Sequence, residues 1–185
     1  LAQKVKTVTV VEPSAAMLDL LQAHCREFGI HNITGNHCDW EAIDADTFPK
    51  HDYVIASYSL MMENLKDALA KMDALAKKQV YLYWFSGMTT WEKITSDLMP
   101  RIHGRAAVLH PKADVIYGIL CQLGISANII HLEGTSFDRE FADKEGAMQD
   151  LRKRLNVGPG EQDALLEAYL QESGVYQQLE NKWVY

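Results

Sequence analysis

The chain has 185 residues, of which 48% are hydrophobic, and a formal net charge of −7 at pH 7. This length and apolar content suit one domain whose core needs no disulfide or metal, and they exclude a wholly disordered chain. No apolar run reaches the roughly 20 residues that span a bilayer, and the acidic balance disfavours a general nucleic-acid binder. We therefore expect a cytoplasmic protein without a membrane or nucleic-acid partner.

Strands and helices alternate over the first half of the sequence. Short β-branched or aromatic runs predict strands, and apolar residues at helical spacing predict helices between them. The strands are predicted at residues 5–11, 30–38, 52–58 and 79–85, with helices at 15–28 and 62–77. Ser14 and Gly29 are typical of the start and end of the first helix. Strands this apolar, alternating with helices, predict a mostly parallel sheet covered on both faces.

After Gly87 the alternation of strands and helices ends, and most of the predicted elements are helices. Helices are predicted at residues 91–103, 112–123, 138–155 and 161–172, a fifth strand at 127–132, and the beginning of a last strand at 182–185. The three cysteines, Cys25, Cys38 and Cys121, form no CxxC pair and no zinc-ligand spacing. We therefore expect no metal site, and we expect the cysteines to be small apolar side chains in a reducing compartment.

The residues that follow each strand are the candidate site, since open parallel sheets bind ligands at the carboxyl ends of their strands. A carboxylate such as Glu12, at the end of a strand, can accept hydrogen bonds from both hydroxyls of a ribose. Asp39 can accept from the exocyclic amine of an adenine, and Trp40 can cover the ring. The competing structural interpretations are that Glu12 caps a helix, that Asp39 is a turn residue and that Trp40 only packs.

These residues resemble those of class I S-adenosylmethionine-dependent methyltransferases. The run VTVVEPS at 8–14 is similar to that family's second strand and the start of its helix, and the Cys38-Asp39-Trp40 turn is similar to its adenine-contacting turn. Residues 52–57 and 80–85 are similar to its fourth and fifth strands. The resemblance covers residues 5–87 and implies a Rossmann-like α/β fold.

The resemblance implies methyl transfer from S-adenosylmethionine to a small-molecule acceptor. It implies that Glu12, Pro13, Asp39 and Trp40 contact the cofactor, and that Ser57 and Tyr58 lie near its methyl-bearing end. The single domain 1–185 would then comprise part of a cofactor-binding half at 1–87 and an acceptor-side half at 88–185. A helical insertion at about 137–175 belongs to the second half. No metal is implied.

The family's first strand and glycine-rich loop are missing from this sequence, which contains no GxGxG. In the family, the loop brings backbone N–H groups to the carboxylate of the cofactor. We therefore expect the chain to be an N-terminally truncated piece of a longer polypeptide, to lack the central strand of the sheet, and to be inactive with little affinity for the cofactor.

Two other functions stay open. A nucleotide-dependent oxidoreductase also ends its second strand in an acid, and its fingerprint glycines would also lie upstream. A non-catalytic Rossmann-like module would keep the fold without the cofactor. No catalytic residue is assigned: a base is needed only if the acceptor must lose a proton, and Tyr58, His103 and His110 are the candidates.

Overall fold

The computed structural model describes residues 1–132, 137–180 and 182–185. The chain divides into two compact units. The first holds Leu1–Trp84 and Gly118–Ile125, and the second holds Phe85–Tyr117 and Ser126–Tyr185. The first unit also contains residues from the predicted acceptor-side half, and the division into 1–87 and 88–185 stays a prediction. The assignment of all 185 residues to one domain stays a prediction.

The first unit begins with two parallel strands and a helix. Strands β1 (Val8–Val11) and β2 (Ile33–Asn36) pair in parallel, with Val8 opposite Ile33, and helix α1 (Ala15–Glu27) connects them. The helix is seated closely on β2, because a Cβ at Gly35 would lie 3.0 Å from Cδ2 of Leu18. A larger residue at position 35 would therefore require the Leu18 side chain to shift by a few tenths of an ångström. At the other end, the Asn32 side-chain amide donates to the carbonyls of Ala2 (2.8 Å) and Val5 (2.9 Å) and fixes the N-terminal 3₁₀ turn.

A second parallel pair follows in the same unit. Strands β3 (His51–Ser57) and β4 (Ala76–Tyr83) are connected by helix α2 (Leu65–Leu75), which contacts both of them. The apolar side chains of α2 that face the core are at most 9% exposed (Leu65, Ala68, Leu69, Met72 and Leu75). Alternate side chains of the two strands form a face that stays 38–47% exposed and consists of Tyr53, Ile55, Tyr81 and Tyr83.

The second unit has a core of three helices. Helix α3 (Thr90–His103), α5 (Lys144–Leu155) and α6 (Asp163–Glu172) bury Ile94, Leu98, Leu151 and Leu166 completely. Helix α3 begins with a capping box, in which the Thr89 hydroxyl accepts from the Glu92 N–H and the Glu92 carboxylate accepts from the Thr89 N–H. Helix α4 (Ala113–Gln122) has its first half in this unit.

A small antiparallel sheet completes this unit. Strand β7 (Lys182–Val184) pairs with β5 (Glu140–Phe141) on one side and with β6 (Gln177–Leu179) on the other. The buried Asp150 carboxylate binds Arg139 and Arg154, and Arg154 in turn contacts the hydroxyl of Tyr185. Burial raises the pKa of the Tyr176 hydroxyl, which lies in the same core. A network of charges therefore holds β7 against α5.

The observed elements correct several predictions. The strand predicted at 127–132 is wrong, because these residues are not part of a strand in the described structure. The helix predicted at 62–77 begins at Leu65, since the Asn64 side chain caps it there, and the helix predicted at 138–155 begins at Lys144 after the short β5.

The sheet itself also differs from the prediction. Instead of one mostly parallel sheet there are two parallel pairs and an antiparallel trio among the described residues. Among the described residues, β1 pairs with β2 alone and β3 pairs with β4 alone, and the tyrosine-rich face of β3 and β4 is 38–47% exposed, whereas we expected both faces to be covered. Within the part of the chain that is described, no helix is both long and apolar enough to cross a bilayer.

Candidate functional site

Glu12 lies directly after β1, at its carboxyl end. Its backbone N–H donates to the Asn36 carbonyl (3.1 Å), which extends the pairing with β2. One carboxylate oxygen accepts from the backbone N–H of Ser14 (2.9 Å), and Ser14 is the N-cap of α1. The half-buried carboxylate is therefore held in one orientation, and the structure describes no partner for its second oxygen.

The residues around the end of β2 are hydrogen-bonded to the residues at the carboxyl end of β1. The side-chain amide of Asn36 donates to the Val10 carbonyl (3.1 Å), and the ring of His37 donates to the Pro13 carbonyl (2.9 Å). These two bonds bring residues 36–39 alongside Glu12 and Pro13. Asp39 follows as an exposed residue, and among the described residues its carboxylate has neither a hydrogen-bond nor an ion-pair partner. Two carboxylates able to accept hydrogen bonds thus lie at the ends of adjacent strands.

Trp40 is anchored to α2. Its indole N–H donates to the Ala68 carbonyl (3.2 Å), and the Lys71 ammonium donates to the carbonyls of Trp40 (3.0 Å) and Glu41 (2.9 Å). The position of the ring is therefore fixed by the helix. This supports the structural interpretation of Trp40 as a packing residue, and contact with an adenine stays a prediction.

Ser57 and Tyr58 lie at the carboxyl end of β3. Ser57 is paired with Tyr83, and the Tyr58 N–H donates to the Tyr83 carbonyl (3.1 Å). Tyr58 has a φ of 53°, the left-handed conformation that residues with a side chain rarely adopt. Such a conformation costs about 1–3 kcal/mol and is frequent at functional sites. The phenol is 41% exposed.

The structure therefore brings Glu12, Pro13 and Asp39 together on one parallel pair and places Ser57 and Tyr58 on the other. Trp40, in the turn after β2, is hydrogen-bonded to α2, the helix that connects the strands of the second pair. Two cavities of about 220 and 410 Å³ lie elsewhere in the first unit, and neither is lined by a predicted site residue. No cluster of histidine, cysteine and acidic side chains suited to a metal ion occurs within residues 1–132, 137–180 and 182–185.

Both histidines considered as bases belong to the second unit and have structural contacts. The His103 Nε2 lies 2.7 Å from the Leu155 carbonyl, so this nitrogen carries a proton and cannot accept one. The backbone N–H of His110 donates to Glu92 (3.4 Å).

The strongest electrostatic feature of the second unit is one that the sequence analysis did not identify. Glu92 is only 3% exposed, and both oxygens of its carboxylate accept from the Lys112 ammonium. Burial alone raises the pKa of Glu92, but the hydrogen bonds from Lys112 and Thr89 outweigh it and lower that pKa to about 2. The spacing Thr89-x-x-Glu92 is the sequence signal of a capping box and could have indicated this role. No local signal indicates Lys112 or Lys71, because their partners are distant in the chain.

Comparisons with known proteins bear on the fold. The chain aligns over 99% of its length with a crystal structure from Bacillus halodurans proposed to be a methyltransferase, with a TM-score of 0.63, 14% identity and 80% of that chain covered. The YcgJ protein from Bacillus subtilis aligns over the same share with a TM-score of 0.60, 11% identity and 81% of its chain covered. The chain has a methyltransferase-type α/β fold.

Sequence comparison adds one relative. An uncharacterized protein from Haemophilus influenzae is 31% identical in an alignment of 165 residues that covers 85% of this chain and 60% of the relative. The chain thus spans less than two thirds of that relative's length. No family model matches the sequence.

Proposed function

We propose that this chain provides the adenosine-binding part of a class I S-adenosylmethionine-dependent methyltransferase that acts on a small molecule. The observation that carries the proposal is the Glu12 carboxylate at the end of β1. It is oriented by the Ser14 N–H and keeps an oxygen for which the described residues offer no partner. A carboxylate in this state can accept from the two hydroxyls of a ribose.

The neighbouring residues fit the rest of an adenosine. The Asp39 carboxylate would accept from the exocyclic amine of the adenine. Pro13 and Trp40 would border the base, and the bonds from Ala68 and Lys71 would keep the indole in place. Ser57 and Tyr58 would shape the end at which the cofactor, when bound, supplies a methyl group on a positively charged sulfur.

The residues for the amino-acid end of the cofactor are not in this sequence, since no glycine-rich loop is present. We propose that a further strand, with that loop, completes the sheet from residues outside these 185. Support comes from the strands of the described residues, among which β1 pairs with β2 alone and β3 pairs with β4 alone, so that each has a free edge to which a further strand can bond. The 185 residues alone would then bind the cofactor poorly and be inactive.

Catalysis would consist mainly of positioning. Methyl transfer from a sulfonium is an in-line displacement, and holding the two reactants in line lowers its barrier substantially. The net charge of −7 favours a small-molecule acceptor over a nucleic acid. The three cysteines are free, which supports a cytoplasmic location.

The test is a thermal-shift and calorimetric panel on a longer natural polypeptide that contains this chain. The ligands are S-adenosylmethionine, S-adenosylhomocysteine and nicotinamide dinucleotides, since a bound ligand raises the melting temperature by mass action. We expect S-adenosylmethionine to stabilise the longer polypeptide. Glu12→Gln should weaken its affinity at least about tenfold, because a hydrogen bond to a charged group contributes about 1.5–3 kcal/mol. Asp19→Asn, an exposed change on α1, is the matched control.

Three results would refute the proposal. Stabilisation by the dinucleotides and not by S-adenosylmethionine would indicate the oxidoreductase. Stabilisation by none of the ligands would indicate a non-catalytic module. Equal affinities for Glu12→Gln and Asp19→Asn would remove the role assigned to Glu12.

A further inference from the structure

His37, the residue that directly follows β2, is hydrogen-bonded to the segment after β1. Its ring nitrogen Nε2 lies 2.9 Å from the Pro13 carbonyl oxygen. A carbonyl oxygen can only accept a hydrogen bond, so Nε2 carries a proton and donates it. Both residues are exposed. The bond therefore fixes the position of the turn at residues 37–39 and takes no part in the packing of the core.

The backbone of this turn is held mainly by local bonds. The pairing of β1 with β2 ends at Asn36. Beyond it, the Cys38 N–H donates to the Asn36 carbonyl (3.2 Å), and the Asp39 carbonyl accepts from the Ala42 N–H (3.1 Å). Both bonds join residues that are close in the sequence. Among the described residues, the ring of His37 therefore supplies the hydrogen bond that joins the turn to the segment after β1.

The two carboxylates of the candidate site are held in different ways. The Glu12 carboxylate accepts from the Ser14 N–H (2.9 Å), a bond within the segment after β1. Asp39 is exposed, and its carboxylate has no hydrogen-bond or ion-pair partner in the part of the chain that the structure describes. Its position therefore follows that of the turn. Loss of the His37 donor would release Asp39 and leave Glu12 in place.

We propose that His37 is a positioning residue that gives the adenosine site its selectivity for the exocyclic amine of adenine. This inference rests on the proposed function, in which the Asp39 carboxylate accepts from that amine. A group held in place before the ligand arrives binds it at a lower entropic cost. A site that is built to bond a donor also rejects an analogue without the donor, because the acceptor is left unpaired. The selectivity therefore depends on His37 through the position of Asp39.

The test compares three ligands of the longer polypeptide by calorimetry. They are S-adenosylhomocysteine, its 6-deamino analogue with hydrogen in place of the exocyclic amine, and its 2′-deoxy analogue. We expect the wild type to prefer S-adenosylhomocysteine to the 6-deamino analogue at least about fivefold. His37→Phe should reduce this preference to less than about twofold, since the ring then lacks a donor. It should keep the preference over the 2′-deoxy analogue, which reports on Glu12.

Two further variants separate positioning from a general effect on the fold. His37→Gln has a side-chain amide that can donate as Nε2 does, and it should restore the preference for the amine. His31→Phe, at another exposed histidine of the first unit, is the matched control and should behave like the wild type. The proposal is overturned if His37→Phe keeps the wild-type preference for the amine, if it loses both preferences equally, or if His37→Gln behaves like His37→Phe.

An NMR measurement on the 185-residue protein tests the turn without any ligand. Heteronuclear NOEs of the Cys38 and Asp39 amides report motion on the picosecond to nanosecond timescale. We expect these amides to be rigid in the wild type and in His37→Gln, and mobile in His37→Phe; rigid amides in His37→Phe would refute the role of the ring. A longer polypeptide that binds S-adenosylhomocysteine without preference for the amine would overturn this inference alone. One that binds none of the three ligands would refute the proposed function as well.

Discussion

Replacing Glu92 with glutamine removes a buried charge while it keeps the shape of the side chain. In the native protein the carboxylate is 3% exposed and binds both Lys112 and the backbone N–H of Thr89. Its pKa is lowered from 4.5 to about 2, which corresponds to about 3 kcal/mol of stability at pH 7, since one pKa unit is about 1.4 kcal/mol. We therefore expect Glu92→Gln to cost about 2–3 kcal/mol at pH 7.

The same lowered pKa also predicts how this stability depends on pH. Because the folded pKa lies below the unfolded one, this stability is present above about pH 4.5 and is lost as the pH falls toward 2. About 2 kcal/mol of it should be lost by pH 3. The difference between wild type and Glu92→Gln should therefore shrink by that amount between pH 7 and pH 3.

Urea unfolding at pH 7, 5 and 3, followed by circular dichroism, measures both quantities. The matched control is Glu167→Gln, which breaks an exposed pair with Lys144 (3.3 Å) in the same unit and should cost less than about 1 kcal/mol at any of these pH values. A Glu92→Gln protein as stable as this control at pH 7 would show that the reasoning is wrong. A gap to wild type that stays constant down to pH 3 would show the same.

Two further predictions concern the candidate site in the first unit. Lys71→Met should destabilise the protein by about 1.5–3 kcal/mol, because it removes the ammonium that binds the carbonyls of Trp40 and Glu41; urea unfolding measures the loss, and faster amide exchange at Ala42 and Ile43 should accompany it. Tyr58→Gly should change stability by less than about 1 kcal/mol, because relief of the left-handed strain is offset by the larger backbone entropy that glycine loses on folding and by the lost contacts of the tyrosine side chain. Urea unfolding that shows a change above about 2 kcal/mol in either direction would show that this balance is wrong.

Local sequence patterns predicted the elements of the first unit well. The helix predicted at 15–28 is observed at Ala15–Glu27, because Ser14 caps one end and Gly29, with a φ of 60°, follows the other. The limits of this helix depend on residues next to it in the sequence, which is why a local sequence pattern predicts them. Glu12 directly follows β1 and Asp39 lies in the turn after β2, while their roles in binding stay predictions.

Features that depend on distant partners were not predictable in this way. The apolar residues 127–132 have the composition of a strand, but a strand needs a partner, and composition does not show whether one is present. The aromatic run at 79–85 suggested burial on both faces, yet Tyr81 and Tyr83 are exposed. The anchoring of Trp40 by Lys71 joins residues 31 positions apart and has no local signature.

The close approach of Gly35 to Leu18 restricts which substitutions these two positions can accept during evolution. A methyl group at position 35 would require the Leu18 side chain to shift by a few tenths of an ångström, one helical turn after Ser14. Ser14 supplies the N–H that orients the Glu12 carboxylate. A larger residue on the neighbouring strand therefore has to be accommodated by the Leu18 side chain, on the first turn of the helix whose N-cap orients that carboxylate.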